Sequence, residues 1–370
     1  MSKIQFIPFL NIHPKIKQEL TNVFEKFYDG QDYILGKGLE QFENEYARFN
    51  DVKFAIGVGN GHDALLIILK VLGIGAGDEV IIPAHTFIAT ALSVTNVGAT
   101  PVLVDVDKYS FDIDPNLIEE KITRRTKAIV PVHLYGTPCD MDAIETISQK
   151  HTLHIIEDNA QAQGAIYKSK KTGSFGIMNF TSFYPTKNIG ALGDGGMITT
   201  NSEELSIKAK SIRNYGKSMD GSYKEVGLNS RLDELQARLL NAKLKHLNQW
   251  NEERRQIASW YERELKKVEE IRMSSVYPQS KSVYHIFPIL SNTRNELKKH
   301  LKSMGIDTQI HYEKPIHLHK SFSFLNHING DFLVTEEICN KELSLPIYPG
   351  LKQEDIIYIC KQIRKFYAKN

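Results

Sequence analysis

The sequence has few cysteines, and their arrangement indicates no shared role. Cys139, Cys339 and Cys360 are odd in number, far apart and without the spacing of zinc ligands. They therefore predict neither a disulfide framework nor a metal site, and they fit a reducing cytoplasm.

Neither sign of charge predominates, since 46 Lys and Arg stand against 44 Asp and Glu. A balanced chain has no overall field to recruit nucleic acid or an anionic membrane, so we expect neither partner, and any anionic ligand must be held locally. The sequence also lacks an apolar run of transmembrane length, and its short N-terminal apolar stretch is broken by Pro8 and Pro14. We therefore expect a cytoplasmic protein.

Short β-branched runs alternate with amphipathic stretches from about residue 60 to residue 200. This alternation predicts an α/β fold with a mainly parallel sheet between two layers of helices. The candidate strands are Glu79–Pro83, Pro101–Val106, Ala128–Leu134, Leu153–Asp158, Asn179–Tyr184 and Gly196–Thr200. The candidate helices between them span residues 61–71, 87–97, 140–150 and 203–212.

Helical patterns flank this region on both sides. Lys37–Phe49 reads as an amphipathic helix, and the proline-free stretch from Leu232 to about Lys267 predicts a long helix, continuous or interrupted. Beyond it, a compact α+β unit is predicted from strand-like runs at 283–290 and 308–312 and helices at 294–304 and 354–367. We expect a large domain at 1–245, with an N-terminal arm, and a smaller C-terminal domain at 246–370.

One lysine stands where a strand-like run passes into a glycine-rich loop. This residue is Lys187, in SFYPTKNIGALGDGGMI (182–198), and taken alone it is an ordinary exposed lysine. Asp158, 29 residues upstream, ends a predicted strand, and ligands of open α/β sheets collect at the carboxyl ends of strands. Pyridoxal phosphate needs such a pair, an amine for its aldehyde and a carboxylate against its pyridine nitrogen. The alternative for Asp158 is a helix N-cap.

The phosphate of such a cofactor needs hydrogen-bond donors. GVGNGHDALL places Gly61 and His62 at the start of a predicted helix, where free N–H groups can hold an anion, although a plain strand-to-helix turn explains the glycines equally well. Ser182 adds a hydroxyl five residues before Lys187. Phe87 offers a face for the ring, with core packing as the alternative.

Ten ordered segments of the chain match one known family. Among them are LGIGAGDEVIIPAHTFIAT (72–90), VHLYGTPCDMD (132–142), IIEDNAQAQGA (155–165), SFYPTKNIGALGDGGMI (182–198) and GLNSRLDELQA (227–237). With these segments the chain resembles the DegT/DnrJ-type nucleotide-sugar aminotransferases, which depend on pyridoxal phosphate. The resemblance implies the aspartate-aminotransferase-like fold (fold type I), whose large domain has a mainly parallel seven-stranded sheet.

The resemblance also implies a role for individual residues. Lys187 would hold the cofactor as a Schiff base, Asp158 would pair with the pyridine nitrogen, and Phe87 would stack on the ring. Gln161 would touch the hydroxyl side of the ring. The phosphate would be bound by Gly61, His62, Ser182 and, from the neighbouring subunit, Asn229. A homodimer with shared active sites follows.

Two residues depart from the family pattern. Relatives commonly have a small hydroxyl residue at the position of His62, which leaves the part of its imidazole in phosphate binding open. Many relatives have histidine at the position of Gln163. In a sister group that removes a hydroxyl instead of adding an amine, histidine replaces the lysine, so Lys187 favours transamination.

The resemblance further implies L-glutamate as amino donor and a nucleotide-linked keto sugar as acceptor. GNGHDAL (59–65) is similar to enzymes that aminate C3 of dTDP-3-keto-6-deoxyhexoses, with amination at C4 of a dTDP- or UDP-linked sugar as the alternative. A different pyridoxal-phosphate enzyme and a non-catalytic regulatory protein are the competing functions. Candidate substrate contacts, each equally open to a packing or solvated role, are Tyr184, Arg213, Tyr215, His311, Tyr312 and His317.

Overall fold

A seven-stranded sheet lies at the centre of the protein, for which the computed structural model describes residues 3–8 and 16–368. Its strands are β1 (Phe54–Val58), β2 (Glu79–Pro83), β3 (Thr100–Val104), β4 (Thr126–Ile129), β5 (His154–Asp158), β6 (Met178–Ser182) and β7 (Gly196–Thr200). Their spatial order is β1, β7, β6, β5, β4, β2, β3. Neighbouring strands from β3 to β6 are parallel, and β7 is antiparallel to both β6 and β1. The predicted mainly parallel sheet is confirmed.

Helices cover both faces of this sheet. The helices that precede, connect and follow its strands are α1 (Lys17–Gly30), α2 (Lys37–Phe49), α3 (Gly61–Val71), α4 (Ile88–Asn96), α5 (Met141–His151), α6 (Glu203–Ile212) and α7 (Glu234–Leu244). One face packs against α3, α4 and α6, whereas α5, α2 and α7 pack against the other. Apolar residues alternate between these two cores, as they do in strands covered on both sides. The predicted helix, sheet, helix layering is confirmed.

The predicted strand at Ala128–Leu134 is too long at its C-terminal end. Strand β4 ends at Ile129, and Val132 makes only a single bridge, to Asp158. The chain then turns through a 3-10 turn at Leu134–Gly136, which redirects it away from the ladder.

The long helix predicted after residue 232 is interrupted. Helix α7 ends at Leu244, and α8 (Leu247–Leu265) follows after two residues. Leu244 and Leu247 still pack in one apolar cluster with α2, whereas the far end of α8 packs against the C-terminal part of the chain. The domain boundary at residue 245 stays a prediction.

The C-terminal part is built on a three-stranded antiparallel sheet. Strands β8 (Ile271–Met273) and β10 (Glu342–Leu345) flank β9 (Phe287–Ser291). A separate apolar core holds α8, α9 (Arg294–Ser303) and α11 (Gln353–Tyr367) against this sheet, and α10 (Leu333–Lys341) leads into β10. This is the α+β unit predicted from the sequence.

The segment 308–312 is not the predicted strand. Gln309 makes one isolated bridge, to Ser344. His311 cannot continue a ladder because its N–H donates to the Glu342 carboxylate and its carbonyl accepts from the Tyr135 hydroxyl. Side chains, rather than a neighbouring strand, therefore fix this segment.

Two further findings concern the helices and the cysteines. Within the described ranges, none of the helices has both the length and the apolar character needed to cross a membrane. Cys139, Cys339 and Cys360 are buried free thiols.

Candidate active site

Asp158 is the last residue of β5, and its side chain is buried. Its Oδ2 accepts a hydrogen bond from Thr90 Oγ1 at 3.2 Å, and its Oδ1 accepts one from the Ala160 N–H at 3.0 Å. Burial raises the pKa of this carboxyl group, while the two donors and the charge of Lys187 act to lower it. After β5 the structure describes turns and then the short strand Ile166–Tyr167 rather than a helix, so the N-cap alternative for Asp158 is wrong.

The neighbouring Glu157 faces away from Asp158, as successive residues of a strand do. Its carboxylate accepts three backbone N–H groups of the loop 173–176 at 2.5 to 3.1 Å. His133 Nε2 lies 2.9 Å from Oε1, and because the Cys139 N–H donates to Nδ1 of His133, Nε2 carries the proton and donates to Glu157. Glu157 thus holds a loop, which leaves Asp158 as the carboxylate of the site.

Lys187 lies in the loop between β6 and β7. The next residue, Asn188, anchors this loop, since its Nδ2 donates to Asn251 Oδ1 at 2.9 Å and to the Val283 carbonyl at 3.0 Å. The Lys187 side chain is partly buried, and among the described residues its Nζ has no hydrogen-bond or ion-pair partner. Desolvation lowers its pKa to about 8, against the charge of Asp158, which acts to raise it. A substantial fraction of the amine is therefore neutral near physiological pH.

Gly61 and Ser182 meet where the start of α3 approaches the end of β6. A Cβ at Gly61 would lie 2.8 Å from Ser182 Cβ, so glycine is required for this approach. Asn60 caps the helix by accepting from the Asp63 N–H at 2.8 Å. Since the first N–H groups of a helix have no partner within it, Gly61 and His62 offer two backbone donors beside the Ser182 hydroxyl. Such a cluster at a helix N-terminus suits a phosphate.

The imidazole of His62 is engaged away from this cluster. Its Nδ1 lies 3.3 Å from Asp63 Oδ1, and its Nε2 lies 3.1 Å from Asn96 Nδ2. The hydrogen bond from His62 lowers the pKa of Asp63. The sequence left open whether the His62 imidazole takes part in phosphate binding. In the structure the imidazole contacts Asp63 and Asn96, and the backbone N–H of His62 stays available for a ligand.

Phe87, Gln161 and Tyr312 come together at the same edge of the sheet. Phe87 occupies the cap position before α4 and is 52% exposed, so it is not the core residue of the alternative interpretation. Its ring centroid lies 5.4 Å from that of Tyr312. Gln161 Nε2 donates to the Tyr312 hydroxyl at 3.2 Å, and its Oε1 accepts from the Tyr135 N–H at 2.7 Å. An open aromatic face therefore stands beside a fixed amide and phenol.

Two histidines of the C-terminal part lie close enough to Lys187 for its charge to act on them. His285 Nδ1 lies 3.1 Å from the Asn188 side-chain oxygen, and His311 Nδ1 lies 2.8 Å from Ser344 Oγ. Burial lowers the pKa of both, to about 4 for His311, and the Lys187 charge lowers each further. Both imidazoles are therefore neutral at physiological pH.

Arg213 connects three elements of the large sheet and its helices. Its Nη1 forms an ion pair with Glu43 and donates to the Gly57 carbonyl at 2.8 Å, while Glu43 accepts from the Gly57 N–H at 2.8 Å. These contacts of Nη1 tie α6 to α2 and β1. The contact of Arg213 with a substrate stays a prediction.

His317 is also a structural residue here. It is buried, its Nε2 lies 3.0 Å from Glu336 Oε1, and its ring centroid lies 4.8 Å from that of Phe332. These contacts hold the turn at 316–318 against α10, and the substrate contact of His317 stays a prediction.

Tyr184, Tyr215 and Asn229 lie on the surface, the two tyrosines with 54% and 50% of their area exposed. Within the described ranges, no hydrogen bond, ion pair or ring contact joins Tyr215 or Asn229 to Lys187 or Asp158. In the single chain these two residues therefore lie outside the group of site residues around Lys187 and Asp158.

Asn229 does not cap the following helix. Helix α7 begins at Glu234 and its cap position is Asp233. Asn229 instead makes an isolated bridge with Asn214, which closes the loop between α6 and α7. The helix-cap alternative for Asn229 is wrong.

Thr90 and Glu342 are site residues that were not predicted from the sequence. A signal for Thr90 was available, because it follows Phe87 by three residues in a predicted helix and so shares its face. No sequence signal was available for Glu342, because its contact with His311 depends on how the C-terminal sheet folds.

The comparison with known proteins identifies the family. Residues 14–364 match the model of the DegT/DnrJ/EryC1/StrS aminotransferase family. The chain belongs to this family. Pyridoxal phosphate is the cofactor of this aminotransferase family, as the resemblance implied.

Curated relatives are similar over nearly their whole length. The chain is 40% identical over 363 residues to the dTDP-3-amino-3,4,6-trideoxy-alpha-D-glucose transaminase of Streptomyces venezuelae, covering 97% of this chain and 96% of the relative. It is 42% identical over 365 residues to the dTDP-3-amino-3,6-dideoxy-alpha-D-galactopyranose transaminase of Aneurinibacillus thermoaerophilus, covering 97% and 99%. It is also 42% identical over 368 residues to a pleiotropic regulatory protein of Geobacillus stearothermophilus, covering 98% of each chain.

Solved structures show the same fold. DesV of S. venezuelae, solved in complex with a ketimine intermediate, superimposes with a TM-score of 0.97 at 39% identity and 99% coverage of both chains. NtdA of Bacillus subtilis, solved with bound cofactor PMP, gives a TM-score of 0.91 at 31% identity and covers 99% of this chain and 86% of its own.

Proposed function

We propose that this protein transfers the amino group of L-glutamate to C3 of a dTDP-linked 3-keto-6-deoxyhexose, giving a dTDP-3-amino-3,6-dideoxyhexose and 2-oxoglutarate. The placement of Lys187 and Asp158 at one edge of the sheet carries the proposal, because the charge of each changes the pKa of the other. Two relatives are named for 3-amino sugars, which supports C3 and does not favour C4.

The residues of the site fit pyridoxal phosphate. In the ligand-free chain Asp158 is a buried carboxyl group whose pKa is raised by burial, so its ionised form gains most from a cationic partner such as a protonated pyridine nitrogen. Gly61, His62 and Ser182 offer donors to a phosphate, and Phe87 offers a ring face. When bound, the cofactor supplies an aldehyde that takes up the amino group and a ring that accepts electrons.

Lys187 is the group we assign to covalent attachment and to proton transfer. Its lowered pKa, about 8, leaves a neutral fraction that can act as a nucleophile and can accept a proton from the donor carbon. Once protonated, the same amine can return the proton in the next step. The firm anchoring of Asn188 keeps the lysine within a fixed loop while this happens.

Asp158 has a different task. Its carboxylate, held by Thr90 and the Ala160 N–H, cannot rotate without losing both hydrogen bonds. A fixed anion at this place keeps a pyridine nitrogen protonated, which strengthens electron withdrawal from the reacting carbon.

Assembly into a homodimer with shared sites is also part of the proposal. The loop between α6 and α7 carries Asn229 and exposes the apolar side chains of Met219, Tyr223 and Val226, which are 92%, 69% and 84% exposed. Exposed apolar side chains on one loop favour contact with another protein surface. A second copy of the chain would bury them and would bring Asn229 to the neighbouring phosphate site.

Three broader expectations stay proposals. We place the protein in the cytoplasm and divide it into domains at residue 245. The candidate contacts of the nucleotide sugar are Tyr184, Arg213, Tyr215, His311, Tyr312 and His317.

The test is a product assay with the purified holoenzyme. Keto sugars linked to dTDP or UDP, with the carbonyl at C3 or C4, are incubated with glutamate, and the amino sugar and 2-oxoglutarate are measured by mass spectrometry. We expect amination of dTDP-linked 3-keto sugars and none with Lys187→Ala. Turnover restricted to 4-keto sugars would overturn the C3 assignment.

A regulatory protein is the second candidate, because one relative is named a pleiotropic regulatory protein. The absorbance spectrum separates the two functions. A catalytic protein shows a lysine-bound cofactor band that glutamate bleaches, whereas a non-catalytic protein leaves the band unchanged.

A further inference from the structure

A short chain of polar groups connects strand β10 to the imidazole of His311. The Ser344 hydroxyl hydrogen-bonds to Glu342 Oε1, and Ser344 Oγ lies 2.8 Å from His311 Nδ1. Glu342 and Ser344 are fully buried and two residues apart, so they share one face of the strand. The chain therefore links a buried carboxyl group to a histidine near Lys187.

The main chain of His311 is fixed on both sides of its side chain. Its N–H donates to Glu342 Oε2 at 2.7 Å, and its carbonyl accepts from the Tyr135 hydroxyl. Because Tyr135 uses its proton for that carbonyl, His85 Nε2, 2.8 Å away, must donate to the Tyr135 oxygen. The backbone of His311 is therefore held in place by two side chains.

A hydroxyl has one proton, so the chain of groups has two consistent arrangements. When Glu342 is ionised, Ser344 donates to it and accepts from Nδ1–H of His311, which leaves Nε2 without a proton. When Glu342 is protonated, it donates to Ser344, which donates to Nδ1, and the imidazole proton then sits on Nε2.

The other nitrogen of His311 is not engaged by the protein in the part of the chain that the structure describes. Within the described ranges Nε2 has no hydrogen-bond partner, and His311 lines a cavity of about 420 Å³ together with His285 and Thr186, the residue before Lys187. The state of Nε2 is therefore presented to whatever enters the site.

We propose that Glu342 and Ser344 are positioning residues that decide which ring nitrogen of His311 carries the proton. In one arrangement His311 accepts a hydrogen bond from a sugar hydroxyl, and in the other it donates one to a sugar oxygen. The role at the sugar rests on the proposed function, whereas the control of the tautomer does not.

The two arrangements should exchange when Glu342 gains or loses its proton, and the surrounding groups set the pH at which this happens. Burial raises the pKa of Glu342 to about 8, and Ser344, the His311 N–H and the cationic Arg294 and Lys298 act to lower it. The other titratable groups that face this chain of groups are neutral near pH 7 and do not exchange there. Burial raises the pKa values of Tyr135, Tyr312 and Cys339, and it lowers the pKa values of His85, to about 4, and of His285.

Lys187 is the remaining charge that acts on His311, and it disfavours the imidazolium. His311 therefore stays neutral over the range in which Glu342 titrates, so the exchange moves a proton between two nitrogens without changing the charge of the ring.

The primary test reads the tautomer directly. Holoenzyme labelled with 15N-histidine is titrated from about pH 6.5 to about pH 9.5, and His311→Gln assigns the His311 signals by their loss. We expect the protonated nitrogen to change from Nε2 to Nδ1 with a midpoint near pH 8. A His311 tautomer that stays constant over this range would overturn the proposal.

Glu342→Gln is the decisive variant. Its carbonyl oxygen must face the His311 N–H, so its amide donates to Ser344 and fixes the arrangement with the proton on Nε2. The exchange should vanish in this variant and also in Ser344→Ala, which breaks the connection. Persistence of the exchange in both variants would show that another group controls it.

The kinetic test examines the sugar. The KM for the nucleotide sugar should change with pH near 8 in the wild type and lose that dependence in Glu342→Gln, whereas the rate of the half-reaction with glutamate keeps its wild-type profile. Glu337→Gln, a change of the same type in the half-buried Glu337–Lys341 pair, serves as control and should behave as the wild type. If no nucleotide sugar reacts at all, the proposed function fails and the tautomer measurement still decides this inference.

Discussion

The hydroxyl of Thr90 lies 3.2 Å from Oδ2 of Asp158, which joins helix α4 to the last residue of β5. The contact matters because Asp158 is buried, and burial alone raises the pKa of its carboxyl group. A hydrogen bond donated to the ionised form opposes that rise. Thr90 thus favours the ionised form of the Asp158 carboxyl group and fixes its orientation.

Thr90→Val should therefore impair the reaction without unfolding the protein. The change keeps the shape of the side chain and removes one hydrogen bond to a charged group, which we expect to lower kcat about ten-fold. The pKa of Asp158 rises further, so the acid limb of the pH–rate profile moves to higher pH. Thr95→Val is the matched control in α4, where the hydroxyl donates to the Ala91 carbonyl and to no other group of the described residues. Equal kinetics in the two variants would contradict this role of Thr90.

Local sequence patterns predict much of the fold. The bounds of β2 and β7 and of α2, α3 and α6 agree with the prediction, because each is a clear periodic run between turn residues. Strand β1 was not predicted. It is five residues long, and among the described residues it pairs with β7 alone, roughly 140 residues away, which local pattern does not reveal.

The site is likewise predictable from the sequence only in part. Four site residues lie at or near a strand end or a helix start, so their proximity is predictable once the order of the strands is known. They are Lys187, Asp158, Gly61 and Ser182. Arg213 shows the limit of such reasoning. Its charge favours an anionic ligand, but the sequence does not tell that Glu43, 170 residues earlier, already neutralises it inside the protein.

The lowered pKa of Lys187 has a consequence for stability. Its pKa falls from 10.5 to about 8 on folding, so between these values the unfolded chain binds more protons and the free energy of unfolding rises with pH. Below about pH 8 the buried amine must be protonated against its desolvation. Cofactor-free Lys187→Met should thus be more stable than cofactor-free wild type at pH 7, by up to about 3 kcal/mol.

That gain should shrink as the pH rises through the interval from 8 to 10.5 and should be absent above it. Urea unfolding at several pH values measures it, and Lys267→Met, at an exposed lysine, is the control. A gain that does not depend on pH would contradict the desolvation argument.

Gly61→Ala should weaken cofactor binding. The new Cβ would lie 2.8 Å from Ser182 Cβ, so the start of α3 must move away from the end of β6 and widen the phosphate site. Affinity for the cofactor, followed by absorbance during titration, should fall more than the melting temperature of the cofactor-free protein. Gly30→Ala is the control, since a Cβ there meets no atom within 4 Å. Unchanged affinity in Gly61→Ala would argue that the phosphate binds elsewhere.

The last prediction concerns Asn229, which lies on an exposed loop and does not cap α7. If it reaches the phosphate site of the neighbouring subunit, Lys187→Ala and Asn229→Ala damage different halves of each shared site. A mixed dimer of the two variants then contains one site with both residues intact and one with neither. Random exchange makes half of the dimers mixed, so mixing two impaired proteins should restore about a quarter of wild-type activity. If Asn229 served its own subunit, every site would lack one of the two residues and mixing would restore nothing.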